Sequence, residues 1–127
     1  MPAKPRYLLD TNIAISLLDG SSMIAATRLS TCEDGSVIIS AICLAEMMVR
    51  LTPAQSRQLP LFLDSIAVAP FDTAAARSYA ELPFKRRSFD RLIGAHALAL
   101  GLTLVTANMV DFADIKGLNV EDWTRPV

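Results

Sequence analysis

Asp10 closes the short apolar run Tyr7, Leu8, Leu9 and leads into Thr11 and Asn12, in the stretch YLLDTN. Further along, Glu46 interrupts the apolar segment AICLAEMMVRL, and Asp90 is the second residue of FDRLIGAHALAL. Asn108 and Asp111 follow the run TLVTA. Each has an ordinary explanation. Asp10 or Asn12 can cap a helix by accepting amide hydrogen bonds. Glu46 can pair with Arg50 one turn on. Asp90 suits the first turn of a helix because of the amide dipole, although Ser88 is available for capping. Asn108 and Asp111 suit a turn. Gathered at one place, however, these carboxylates would repel one another and raise each other's pKa values. A hard divalent cation relieves that conflict. An oxygen-only donor set without histidine or thiolate selects Mg²⁺, with Mn²⁺ as the substitute, and argues against zinc. Such a site activates water and polarises a phosphate ester.

The elements that would position these groups alternate along the chain. Strands are predicted over residues 7–9, 36–40, 66–71 and 103–107, with a last short one in NVEDW. Helices are predicted over residues 12–18, 22–31, 41–51, 74–82 and 89–100, the fourth capped by Asp72 or Thr73 and the last stopped by Gly101. A further helix opens at Pro53, and Pro60 is expected to kink or break it. A short helical turn spans residues 111–115. Continuous apolar strands between amphipathic helices give an α/β fold with a mostly parallel central sheet covered on both faces. Ligands in such sheets bind beyond the carboxyl ends of the strands, where Asp10, Asn108 and Asp111 fall. Glu46 and Asp90 sit in the opening turns of helices, which can face the same rim.

The remaining sequence limits the alternatives. A chain of 127 residues suits one domain, 1–127, and 52% hydrophobic with 20% charged residues provides for a core. No signal peptide and no apolar run long enough to span a membrane are evident, so a cytoplasmic location is expected. Cys32 and Cys43 form no CxxC pair and read as buried free thiols. The net charge of −1 excludes an overall basic clamp for nucleic acid, so any such contact needs a local patch or a metal. One patch is evident: Lys85, Arg86, Arg87 and Arg91 surround Asp90, either as a solvated loop or as phosphate contacts. Arg50 and Arg57 extend it if the fold brings them near. His96, the single histidine, falls on another helical face from Asp90 and is assigned to packing, as is Trp123.

The segments LLDTNIAISLL, VIISAICLAEM, FDRLIGAHALALGLTLVTAN and DFADIKGLNVEDW, in this order, resemble the PIN-domain ribonucleases, and specifically the VapC-type toxins of bacterial toxin–antitoxin pairs. The most specific part is the spacing D-x-x-I-x-A-x-A-x-x-x-G-x-x-L-V-T-x-N-x-x-D-F from Asp90 to Phe112, set beside LDTN and a mid-helix Glu. The resemblance implies a three-layer α/β/α domain. It implies that Asp10, Glu46 and Asp90 are the core acids, that Asn108 stands where the family has Asp or Asn, and that Asp111 is the acid of the "DF" pair. Asp10, Asp90, Glu46 and Asp111 would be the metal ligands, and Thr11, Asn12 and Thr106 would shape the site. The implied activity is Mg²⁺-dependent hydrolysis of RNA to a 5′-phosphate and a 3′-hydroxyl, inhibiting translation and growth. The implied partners are a second copy in a homodimer and a cognate antitoxin, with DNA reached only through the antitoxin. Apolar helical segments at residues 13–18 and 60–63 could line a groove for such a partner. Two other classes compete. A phosphoryl-transfer domain of the receiver or haloacid type also has a strand-end Asp, though the haloacid type needs a second acid where Asn12 stands. A non-catalytic α/β binding module would explain the fold and leave the acids without a task.

Overall fold

The structure, a computed structural model, describes residues 2–83 and 87–126. β1 (Tyr7–Leu9) runs into α1 (Thr11–Asp19) and α2 (Met23–Ser30), and β2 (Val37–Ser40) into α3 (Ala41–Arg50) and α4 (Pro53–Ser65). β3 (Ala67–Ala69) then leads to α5 (Thr73–Glu81) and α6 (Phe89–Leu100). β4 (Thr103–Val105), a 3-10 turn (Met109–Phe112) and β5 (Val120–Glu121) complete the chain. The strands form one sheet in the order β3-β2-β1-β4-β5, every pair parallel. The six helices flank it, giving the three-layer α/β/α arrangement. Leu8, Leu9, Ile39, Leu104 and Val105 have no exposed surface, as expected of central strands covered on both faces.

The strand order sets where a ligand can bind. From β1 the chain crosses to β2 and β3 on one side. It then returns through α5 and α6 to add β4 on the other side. The segments leaving β1 and β4 therefore diverge, which opens a crevice at their carboxyl ends. Leu9 lies opposite both Ile39 and Val105, so the next residues in register are Ser40, Asp10 and Thr106. All three are buried.

Two expectations change in detail. Pro60 neither breaks nor ends its helix: α4 is continuous through it, behind a capping box formed by Thr52 and Gln55. Pro60 and Ser56 are both exposed, so water can bond the Ser56 carbonyl that the missing amide would have met. The strand expected to extend to residue 107 ends at Val105, because Thr106 turns its hydroxyl to Asp10 and accepts the Asn108 amide at 3.0 Å.

Two packing contacts hold the rim. Gly94 of α6 leaves room for the 3-10 turn: a Cβ there would lie 3.1 Å from two ring atoms of Phe112 and 3.3 Å from Ile115. His96, with no exposed surface, shares a 2.8 Å hydrogen bond between Nδ1 and the Ser40 hydroxyl, and meets Phe71 edge to face. Ser40 in turn caps α3 by accepting the Ile42 amide at 3.0 Å. The packing role assigned to His96 is the one it has. Trp123 is likewise buried, edge-on to Tyr7, and fastens the C-terminal segment to β1.

Burial holds the His96 pKa below its ordinary value, against a smaller upward pull from Asp72. The unfolded chain therefore takes up this proton first as pH falls. Stability is full above about pH 6.5 and declines as pH drops toward the lowered folded-state value. Urea unfolding at pH 7.5 and 5.5 should show this acid-side loss in the wild type and a smaller one in His96→Gln. An equal loss in the variant would place the titrating group elsewhere.

Candidate active site

Asp10 is the N-cap of α1 and only 4% exposed. Its Oδ1 accepts the Ile13 amide at 3.0 Å, and its Oδ2 accepts the Thr106 hydroxyl. Capping and site duty are thus the work of one carboxylate, while Asn12 is left to point outward. Glu46 projects from α3 toward the same crevice. Its Oε1 accepts the Thr11 hydroxyl at 2.5 Å, and its Oε2 lies 3.4 Å from Arg50 Nη1. Arg50 also donates through Nη2 to Asn12 Oδ1 at 2.8 Å, so it bridges the openings of α1 and α3. Asp90, half-buried in the first turn of α6, is free of capping duty, because Ser88 accepts the Arg91 amide. Asn108 and Asp111 are exposed on the far side, at and inside the 3-10 turn.

The acids feel one another. The Asp10 pKa is raised, first by burial and further by the charges of Asp90 and Glu46, against the lowering effect of the Thr106 and Ile13 hydrogen bonds. That of Asp90 is raised by burial, then by Glu46 and Asp111, with Arg50 opposing. Four acids from four separate segments, Asp10, Glu46, Asp90 and Asp111, therefore share one electrostatic neighbourhood at the carboxyl rim of β1 and β4. The donors are all oxygen, which suits a hard divalent cation. Among the described residues no three His, Cys, Asp or Glu side chains already converge as a ligand cage. Glu46 has both oxygens engaged by Thr11 and Arg50. The donor set fits a cation that keeps part of its water shell rather than one wholly enclosed by protein.

The PIN domain pattern matches residues 7–118. This chain belongs to the PIN domain family. Among its relatives, the tRNA(fMet)-specific endonuclease VapC of Shigella flexneri is 31% identical over 131 residues, covering 94% of this chain and 98% of that protein. Ribonuclease VapC2 of Rickettsia felis is 27% identical over 132 residues, with the same coverage. The crystal structure of DNA-bound VapBC from Salmonella typhimurium contains a chain that superposes with a TM-score of 0.79 at 27% identity, covering 94% of this chain and 98% of that one. The PIN domain here is thus of the VapC type.

Asp10, Glu46 and Asp90, the acids singled out from the sequence, lie along this rim within range of one another's charges without forming a closed cluster, and Asp111 acts on Asp90. Thr11 and Thr106 hold the Glu46 and Asp10 carboxylates, and Asn12 holds Arg50. The basic loop divides. Lys85 and Arg86 lie outside the described residues, and Arg87 is exposed beside Asp90. Arg91 does not face the crevice and is not a phosphate contact. It is 6% exposed and holds Asp114 with two bonds of 2.9 and 3.0 Å, and it reaches the carbonyls of Pro83 and Asp111. The cause is its helical position: one residue past Asp90, it points about 100° around α6 toward the turn after β4. Asn12 as a hydrogen-bond partner of Arg50 was not foreseen. Nothing local encodes it, because the two are 38 residues apart.

Thr106→Val would keep the shape at residue 106 and remove the hydroxyl that Asp10 accepts. A buried carboxylate oxygen left unsatisfied costs about 1–3 kcal/mol. Denaturant unfolding should therefore show a loss of that size in Thr106→Val and little change in Thr106→Ser. No loss in the valine variant would mean that water replaces the hydroxyl freely.

Proposed function

We propose that this PIN domain is a metal-dependent endoribonuclease and the toxin of a toxin–antitoxin pair, inhibiting translation and growth. The observation that carries this reading is the placement of the Asp10 and Glu46 carboxylates, each held by a threonine hydroxyl, at the crevice between β1 and β4, with Asp90 near enough for its charge to act on Asp10. Such concentrated negative charge calls for a cation, and the names of the VapC relatives supply the substrate class.

Asp10 and Asp90 would be the principal ligands for Mg²⁺ (or Mn²⁺), with Glu46 and Asp111 joining directly or through water and Asn108 offering its carbonyl oxygen. When bound, the ion lowers the pKa of water and draws charge from the phosphoryl oxygens. Thr106 and the Ile13 amide hold Asp10 in one orientation, and Thr11 does the same for Glu46. Glu46 accepts the proton of the attacking water. The water oxygen bonds to phosphorus in line with the departing 3′ oxygen, the P–O3′ bond breaks, and the 3′ oxygen is protonated from solvent. The products are a 5′-phosphate and a 3′-hydroxyl. Arg50 is close enough to Glu46 to offset charge as phosphate enters, and Arg87 offers a contact on the flanking backbone.

The partners follow the same logic. The VapBC complexes among the similar structures support a cognate antitoxin; a homodimeric toxin, with DNA reached only through the antitoxin, belongs to the same proposal. No helix among the described residues is long and apolar enough to cross a membrane, consistent with a cytoplasmic site of action. No observation favours a haloacid-type phosphotransferase, since Asn12 is bound to Arg50 where that chemistry needs an acid.

Purified protein should cleave total RNA in Mg²⁺ and not in EDTA. Asp10→Asn and Asp90→Asn should each lower the rate on the order of 10²-fold or more. Asparagine caps a helix as well as aspartate does, so Asp10→Asn should melt like the wild type or higher. Undiminished cleavage by folded variants would refute the assignment of the site. In cells, expression of the wild type alone should arrest growth and Asp10→Asn should not; growth unaffected by the wild type would count against the toxin role.

A further inference from the structure

A cavity of about 720 Å³ opens directly beside Glu46 and Asp90. Tyr79 of α5 and Phe89 and Leu92 of α6 form its apolar walls, and Arg87 stands at its edge. Its volume is in the range of sites that take small organic groups. Phe89 is the first residue of α6 and 53% exposed, although it is aromatic and is not needed for the cap, which Ser88 supplies. The buried residues of α6 are Arg91 and Ile93 to Ala97, further along the helix, and Phe89 is not among them. The lining is also of two kinds. Aromatic rings and carboxylates share it, with Arg87 the cation among the described lining residues.

That combination matches a nucleobase. A base has a π-face that stacks on aromatic rings and, at its edge, N–H groups that carboxylates accept. Its attached phosphate carries the charge that Arg87 meets. An aliphatic side chain from a protein partner would fill the apolar walls and offer nothing to the Asp90 carboxylate or to Arg87. We propose that this cavity is a base-binding subsite: an unpaired base next to the scissile phosphate stacks on Phe89 and against Tyr79, and so sets which bond enters the acidic crevice. The subsite rests on the nuclease reading and names the part of the substrate that the reading leaves open. A base held in a duplex cannot enter, so the subsite selects splayed or single-stranded segments.

The test uses ten-nucleotide RNAs that carry a single 2-aminopurine at successive positions, bound in Mg²⁺ to the Asp10→Asn chain so that they are not consumed. Fluorescence should be quenched at one position adjoining the bond that the wild type cuts. The quench should vanish when Phe89→Ala is added and persist with Phe89→Tyr. In the active chain, Phe89→Ala should lower kcat/KM roughly 10- to 100-fold, through KM, on an intact oligonucleotide. It should have no further effect on one with an abasic site at that position. Cleavage by Phe89→Ala equal to the wild type would overturn the subsite and leave the nuclease standing. So would an undiminished Phe89→Ala effect on the abasic strand. If Phe89 instead seats protein, the variant will alter sedimentation of the chain or its grip on an antitoxin with cleavage unchanged, and the subsite falls. If the wild type cuts no RNA, the nuclease reading fails by itself, and absence of quenching would then remove the subsite as well.

Discussion

The buried carboxylate of Asp10 is the constraint on which the rim of this fold depends. It ends the central strand, begins the first helix, and receives a hydroxyl from the end of β4, so three segments are located by two oxygens. A charge withdrawn from water is costly unless hydrogen bonds meet it. Here the Ile13 amide and the Thr106 hydroxyl do so in part, and burial still outweighs them. The site is therefore assembled under electrostatic load.

The surrounding cations are arranged around that load rather than within it. Arg50 lies across the mouth, bonded to Glu46 and Asn12, and is partly exposed. Arg91 lies behind the site and ties the end of α5, α6 and the turn after β4 through Pro83, Asp114 and Asp111. A buried ion pair of this kind is weak evidence for stability, because desolvation offsets much of the attraction. Its geometric effect is clear: Asp90 and Asp111 sit on the two segments that Arg91 joins. Gly94 serves the same end from the next turn of α6 by letting the Phe112 ring lie against the helix backbone.

Much of this was legible in the sequence because it is encoded locally. Apolar runs gave β1, β2 and β4, and α6 was read to both ends from Ser88, Asp90 and Gly101. The acids were visible because each interrupts an apolar pattern or ends one. What was not legible depends on three-dimensional juxtaposition. Arg91 looks like part of a basic loop until Asp114, 23 residues later, is brought under it. Pro60 misled for a different reason: the penalty for an in-helix proline is real, but on a solvent-facing turn water meets the orphaned carbonyl.

The span of the Asp10–Thr106 contact has a consequence for biosynthesis. The two residues are 96 positions apart, and β1 pairs with β4 only after everything between them exists. A ribosome that has made three quarters of this polypeptide has therefore built a strand and a carboxylate with no partner to orient them. The rim is completed late, when the last fifth of the chain emerges, and a truncated product would lack it altogether.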